Sequence, residues 1–185
     1  MSYSNLKFFF TVIISSLLLT SCSSLNVQTL NDKAKELMNK GNIDGAIGRL
    51  ESINDLNPNY PQTHYNLGIA YYKKGDYEKA VNSLNQAIKL DNKLADAYYV
   101  LGVIYEDSAL TEVQKAKDGN ALEKAEALET IITYFKNAKD SYAQYITLNK
   151  ATKETEDIKS RIENIDTDIN RYEAMLKSKS AAAKN

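Results

Sequence analysis

The residues best suited to chemistry are one cysteine, Cys22, and one histidine, His64, because the 185-residue chain has no other residue of either type. A lone thiol cannot form an intramolecular disulfide, and a zinc site needs several such ligands. The sequence contains no glycine-rich phosphate loop and no nucleophile motif. The acidic residues Glu154, Glu156 and Asp157 suit the beginning of a helix, where their charges favour the helix dipole. The sequence therefore predicts a protein that is not an enzyme and holds no metal or cofactor.

Cys22 follows a segment that is typical of secreted proteins. Lys7 gives the start of the chain a positive charge, and residues 8–19 form an almost wholly apolar run of 12 residues. This run is shorter than the roughly 20 residues that cross a hydrocarbon core, but it suits a signal peptide. The next residues, Leu19-Thr20-Ser21-Cys22, resemble the lipobox of bacterial lipoproteins. The resemblance implies that residues 1–21 are a signal peptide and that Cys22 is lipidated.

The lipobox resemblance also implies a location. Stable anchoring takes more than one acyl chain, and lipoproteins of this type typically carry three. Ser23 stands where an aspartate would favour the inner membrane, so the resemblance implies a cell-envelope protein on the periplasmic face of the outer membrane. Residues 22–26 would form a short tether, and the covalent lipid would be the only added group.

The composition indicates a soluble all-α domain behind this segment. Charged residues make up 25% and hydrophobic residues 43%, with 2 prolines, 7 glycines and 13 tyrosines. The formal net charge is -1, and no basic patch is evident. Nucleic acid is therefore not an expected partner, since binding to phosphates needs clustered lysine and arginine.

Residues 61–94 resemble the 34-residue tetratricopeptide repeat (TPR), in which two antiparallel helices cross closely. The residues that carry the resemblance are Leu67, Gly68, Tyr71, Gly75, Ala80, Leu84 and Ala87. They predict helices at 61–74 and 77–90, with small residues at the crossing and Gly75 at the turn. A weaker copy occupies residues 27–60, where Ala34 replaces the glycine.

A third repeat, 95–150, begins with the same pattern but is longer. The pattern of the first helix recurs at Leu101, Gly102 and Tyr105. The pattern of the second helix recurs at Ala138, Tyr142 and Tyr145, which is 24 residues later than the 34-residue period predicts. We therefore expect two lengthened helices, at 95–117 and 121–149. The fold predicted for 27–150 is a right-handed α-α superhelix.

A final helix is predicted at 151–177, followed by a disordered tail at 178–185. Its apolar residues alternate four and three apart: Ile158, Ile162, Ile165, Ile169, Tyr172 and Leu176. Such a seam could pair with a second chain. It could also cap the exposed end of the repeat array, which is the favoured interpretation because such arrays need a last helix with a polar outer face.

By resemblance, the first helix of each repeat lines a concave groove that binds other proteins. The predicted groove residues are Asn31, Lys35, Tyr65, Asn66, Ile69, Tyr72, Lys73, Tyr99 and Val103. A peptide or partner helix could lie there, but some of the tyrosines could equally pack internally or against the last helix. Chaperone-binding relatives hold a terminal carboxylate with basic residues, where this chain has Asp96 and Val100, so that clamp is not expected.

These patterns predict a membrane-anchored adaptor for outer-membrane, pilus or secretion assembly. The alternative is a self-associating structural or cell-wall-regulatory lipoprotein, with a homodimer formed through 151–177.

Overall fold

The computed structural model describes residues 27–119 and 124–182, which fold into seven α-helices without a strand in those ranges. The described part of α1 covers residues 27–39. The other helices are α2 (Ile43–Leu56), α3 (Pro61–Lys74), α4 (Tyr77–Leu90), α5 (Ala95–Asp118), α6 (Ala125–Leu148) and α7 (Lys153–Ala182). The predicted signal peptide, Cys22 and the tether lie outside the described residues. Within the described ranges, no helix has the length and apolarity needed to cross a membrane.

The second repeat has the helix bounds that its sequence predicts. Pro61 begins α3 at a position where its missing N–H is not needed. Gly75 ends this helix with a φ of 84°, a left-handed conformation that glycine adopts without strain. Asp76 then caps α4 by accepting a hydrogen bond from the backbone N–H of Lys79.

The helices of the second and third repeats cross at a glycine. A Cβ atom added to Gly68 would lie 2.5 Å from Cγ of Leu84, and one added to Gly102 would lie 2.5 Å from the Tyr142 ring. Tyr142 follows Gly102 by 40 residues, whereas Leu84 follows Gly68 by 16, a difference of 24. The lengthened third hairpin is thus confirmed, because it repeats the same crossing after an insertion of the predicted length.

The buried residues form two clusters. The first joins α1, α2, α3, α4 and the beginning of α5 around Leu50, Leu67 and Leu84. The second joins the rest of α5 to α6 and α7 around Leu128, Phe135 and Tyr142. All members of both clusters belong to residues 27–182.

Helix α7 uses its apolar seam inside the chain. Ile158, Ile165 and Ile169 are buried in the second cluster, and Ile162 packs at its margin. Two ion pairs show that α6 and α7 are antiparallel: Lys139 with Asp166 at 2.6 Å and Lys136 with Glu173 at 2.7 Å. The prediction of a capping helix is confirmed.

The predicted end of this helix is wrong. Helix α7 continues to Ala182, so residues 178–182 are helical and not a disordered tail; residues 183–185 lie outside the described part. The hydroxyls of Ser178 and Ser180 donate to the carbonyls of Met175 and Leu176, which satisfies backbone acceptors of the last turns. The two alanines that follow are strong helix formers.

Candidate partner-binding groove

Helices α1, α3 and α5 lie side by side and run in the same direction. The side chain of Asn31 donates to Thr63 Oγ1 at 2.9 Å, which joins the first turns of α1 and α3. At the other end, the Tyr72 hydroxyl donates to the Asp107 carboxylate and joins α3 to α5. The intervening helices return in the opposite direction, as the 2.7 Å ion pair between Lys74 and Asp44 shows.

A concave cavity of about 390 Å³ opens between these three helices. The residues that line it are Lys35, Met38, Asn39, Gln62, Tyr65, Asn66, Ile69, Lys73 and Asp96. Five of the nine predicted groove residues therefore line one cavity. We refer to this cavity as the groove.

The floor of the groove is a chain of side-chain hydrogen bonds. Asn66 Nδ2 donates to Asn31 Oδ1 at 2.8 Å, and Gln62 Nε2 donates to Asn66 Oδ1 at 3.1 Å. Asn31 and Asn66 are only 1% and 0% exposed, respectively. Their amides hold α1 against α3 and so shape the groove. Of the three hydrogen-bonded amides, only that of Gln62 belongs to a partly exposed residue.

The walls of the groove combine ring, aliphatic and cationic groups. Tyr65 and Ile69 are half-buried and offer apolar area, whereas Lys35 and Lys73 are exposed. No ion pair among the described residues involves either lysine. Burial, assisted by the charge of Asp96, raises the pKa of Tyr65 to about 12, so its hydroxyl stays neutral.

Beyond the groove, the chain satisfies its own polar groups. Tyr72 is half-buried, its ring lies 5.9 Å from that of Tyr77, and its hydroxyl is bonded to Asp107. Burial and this hydrogen bond raise the pKa of Tyr72 well above its ordinary value. Tyr72, predicted as a contact for a partner, thus contacts Asp107 and Tyr77 of its own chain.

Helix α7 contributes to the same region through Arg161. Tyr142 Oη donates to Glu106 Oε2 at 2.8 Å, and Arg161 pairs with the same carboxylate at 3.3 Å. Tyr99 packs with ring centroids 6.0 Å from Tyr142 and 5.4 Å from Tyr145, and Val103 packs at the margin of the same cluster. The side chains of Tyr99 and Val103 are therefore partly used inside the chain.

Sequence reasoning missed Arg161. The heptad pattern identified the apolar seam of α7 but gave no signal that a flanking arginine would reach a carboxylate on α5. No residue-type pattern near Arg161 distinguishes it from Arg171, which pairs instead with Asp168 of its own helix at 2.8 Å.

Other cavities have less suitable linings. One of about 490 Å³ lies between α2, α3 and α4, where the Tyr71 hydroxyl already donates to Glu51. His64 borders this cavity, and its Nε2 lies 2.7 Å from the Pro58 carbonyl oxygen. Another, of about 530 Å³, lies between α6 and α7 at the ion pair of Lys136 with Glu173. No three histidine, cysteine or acidic residues of the described ranges are grouped to hold a metal ion.

Comparison with known families identifies the repeat. Residues 34–75 and 70–108 match the family model described as TPR repeat. Residues 34–108 therefore carry TPR repeats. The match runs from the second half of α1 to the middle of α5 and includes every residue that lines the groove.

Two curated proteins are similar in sequence. One is the BBSome complex member BBS4 homolog of Drosophila melanogaster, 24% identical over 149 residues, which are 80% of this chain and 27% of that protein. The other is the photosystem I assembly protein Ycf3 of Rippkaea orientalis, 35% identical over 75 residues, which are 40% of this chain and 41% of that protein. The matched residues thus cover less than half the length of either protein.

Solved structures, two of them TPR domains, share the fold. The first TPR domain of Spaghetti (RPAP3), bound to the HSP90 peptide SRMEEVD, has a TM-score of 0.58 at 17% identity, covering 78% of this chain and 93% of that one. The Sgt2 TPR domain of Aspergillus fumigatus has a TM-score of 0.58 at 18% identity and coverages of 79% and 82%. The Yersinia enterocolitica type III secretion chaperone SycD, in complex with a peptide of the translocator YopD, has a TM-score of 0.52 at 12% identity, covering 80% of this chain and 93% of that one. This likeness establishes an all-α superhelix of TPR type.

Proposed function

We propose that this protein is a non-catalytic adaptor of the cell envelope, anchored by a lipid on Cys22, which binds a peptide or helix of a partner protein in the groove. The observation that carries the proposal is the groove itself, where exposed Lys35 and Lys73 flank the half-buried Tyr65 and Ile69. Such a lining offers apolar area together with charges that the described residues leave unpaired. The RPAP3 and SycD structures, which have similar folds, were solved with peptides of partner proteins.

The mode of recognition would differ from that of a terminal-carboxylate clamp. Asn66 stands at a clamp position, but its amide is committed to Asn31 and Gln62 in the floor. Asp96 stands at another clamp position and adds a negative charge to the groove. An internal segment of a partner therefore fits this groove better than a free carboxyl terminus.

Site-specific crosslinking tests the groove. A photo-reactive residue at Ile69 should crosslink a partner in the native envelope, whereas one at Gln86, which lines the cavity between α2, α3 and α4 and not the groove, should not. Lys35→Glu combined with Lys73→Glu should lower the yield at Ile69, because the charge of the groove is reversed. Equal products at both positions, or an unchanged yield, would contradict binding in the groove.

The anchor needs its own experiment. Cells given an alkyne-labelled fatty acid should label the full-length chain, and Cys22→Ser should abolish the label and release the protein from membranes. A label that persists in the serine variant would contradict lipidation at Cys22.

Self-association through 151–177 is the alternative. Burial of the seam against α6 disfavours it, because Ile158, Ile165 and Ile169 have no free face for a second chain. Light scattering of residues 22–185 without lipid should give the monomer mass. A dimer that Ile162→Glu converts to folded monomers would overturn this expectation.

A further inference from the structure

The ends of the helices divide the protein into two edges. Because α1, α3, α5 and α7 run parallel, their first residues share one edge with the last residues of α2, α4 and α6. We call this the tether edge, since residue 27, the first described residue of α1, lies there. The opposite edge holds the turns at Gly41 and Gly75 and, farther out, the end of the long hairpin.

Three exposed leucines lie on the tether edge. Leu56 ends α2 and is 85% exposed, and Leu90 and Leu148 end α4 and α6 and are each 38% exposed. Because each is the last residue of its helix, the three leucines lie along one edge of the array, and none of them belongs to either core cluster. Large apolar side chains in such a row mark a surface for an apolar or interfacial partner.

The length of the tether indicates that the tether edge lies near the membrane. Five peptide units separate Cys22 from residue 27, so an acyl group on Cys22 lies at most about 20 Å from the tether edge even when the segment is fully extended. A bilayer that holds the acyl chains must therefore lie within about 20 Å of residue 27, which stands on the edge that carries the three leucines. The opposite edge is farther away by at least the length of α3, about 21 Å for 14 residues.

We propose that the tether edge docks on the lipid surface through Leu56, Leu90 and Leu148, an inference that rests on the proposed lipidation of Cys22. Leucines at this level enter the boundary between headgroups and acyl chains, where burial of apolar area is favourable. The parallel helices then stand upright on the bilayer. The groove, which crosses them, runs along the membrane plane, and the extended hairpin points away from it.

Tryptophan fluorescence tests this orientation, because the chain contains no natural tryptophan. Residues 22–185 retain every buried residue of both clusters, and Cys22 is their only cysteine. A maleimide phospholipid can thus couple them to phosphatidylcholine and phosphatidylglycerol vesicles with brominated acyl chains. The variants are Leu56→Trp, Leu90→Trp and, as a matched control, Leu110→Trp. Leu110 is 49% exposed and lies about 22 Å along α5 from its beginning.

The expected result is quenching of the fluorescence of Leu56→Trp and Leu90→Trp that is several-fold greater than that of Leu110→Trp. Equal quenching of all three variants, or none at the tether edge, would overturn the proposal. The coupling is chemical, so this outcome does not depend on lipidation in the cell. Failure of fatty-acid labelling would refute the natural anchor, whereas failure of quenching with intact labelling would refute only the docking edge.

Discussion

In the first two repeats, exposed Lys35 and Lys73 flank Tyr65 without an ion pair among the described residues, whereas in the third repeat Glu106 is bound by Tyr142 and Arg161 of the same chain. Both regions carry tyrosines and charged residues on the same helix face, but the charged residues are basic in the first two repeats (Lys35 and Lys73) and acidic in the third (Glu106). They differ because α7 lies beside the third repeat and no described helix lies beside the first two in that way. The availability of a groove residue thus depends on the neighbouring helix as much as on its place in the repeat.

The largest expected effect is on the stability of the third repeat and α7. Phe135 is buried between α5, α6 and α7, and its ring stacks on Tyr172 at 6.1 Å. We expect Phe135→Ala to lower the free energy of unfolding by about 3–5 kcal/mol, because it leaves a cavity in the second cluster. Urea denaturation followed by circular dichroism measures this loss. A loss below about 1 kcal/mol would mean that this cluster can repack around the missing ring.

A smaller effect is expected in the floor of the groove. Asn66→Ala removes the donor to Asn31 and the acceptor for Gln62, and so leaves buried polar atoms without partners. The free energy of unfolding should fall by about 1–3 kcal/mol. Gln62→Ala is the comparison: it removes one of the two hydrogen bonds that Asn66→Ala removes, so it should cost less in the same urea titration. Equal losses would show that the hydrogen bond from Asn66 to Asn31 adds no stability.

Alkaline pH probes both regions through their tyrosines. Burial, together with the charge of Asp96, raises the pKa of Tyr65 to about 12, while the unfolded chain ionises near 10. The folded state therefore keeps a proton that the unfolded state loses, so stability is full below about pH 10 and falls as the pH rises to about 12. The loss should be about 1–2 kcal/mol, less than a full two-unit shift would give, because solvent screens a partly exposed group.

Unfolding titrations at several pH values measure this slope. Tyr65→Phe should flatten it, and Tyr142→Phe should flatten it more, since burial and the hydrogen bond to Glu106 raise the pKa of Tyr142 further. If neither variant changes the slope, other groups govern the alkaline transition.

The smallest effects distinguish the basic residues of the two regions. Arg161→Ala should lower stability by about 1 kcal/mol, since its pair with Glu106 is 42% exposed on the arginine side and solvent screens it. Lys73→Ala should change stability by less than about 0.5 kcal/mol, because the lysine is exposed and unpaired in the described structure. Thermal unfolding of the two variants compares them directly. A larger loss for Lys73→Ala than for Arg161→Ala would contradict this comparison, in which the third repeat pairs its charges within the chain and the first two repeats leave Lys73 unpaired.

The repeat pattern predicts the helices well because it consists of local signals. Gly75 and Asp76 end one helix and cap the next, which fixes α3 and α4 at their predicted bounds. The insertion of 24 residues could also be predicted from the sequence, because the apolar positions of the second helix recur from Ala138 to Tyr145 with the spacing of the repeat. The end of α7 was not readable, since a run of serine, lysine and alanine is compatible with both helix and tail.

The groove was harder to predict than the helices. The repeat position of Asn31 gives the direction of its side chain but not its hydrogen-bond partner, which lies 35 residues later at Asn66. Tyr99 faces the predicted side, yet rings on α6 pack against it. Arg161 reaches Glu106 from 55 positions away, and no local pattern encodes such a pairing.

The order in which the helices contact one another has a consequence for synthesis. Among α2 to α7, the main contacts join successive helices, with a minor one between α3 and α5, so each repeat can pack on the preceding one as soon as its own residues have emerged. The exception is α6, whose apolar face with Ile132 and Phe135 stays uncovered until the last 30-residue helix is complete. A chain that stops before α7 would carry a finished groove beside an exposed apolar surface. Aggregation of such truncated chains is the expected fate.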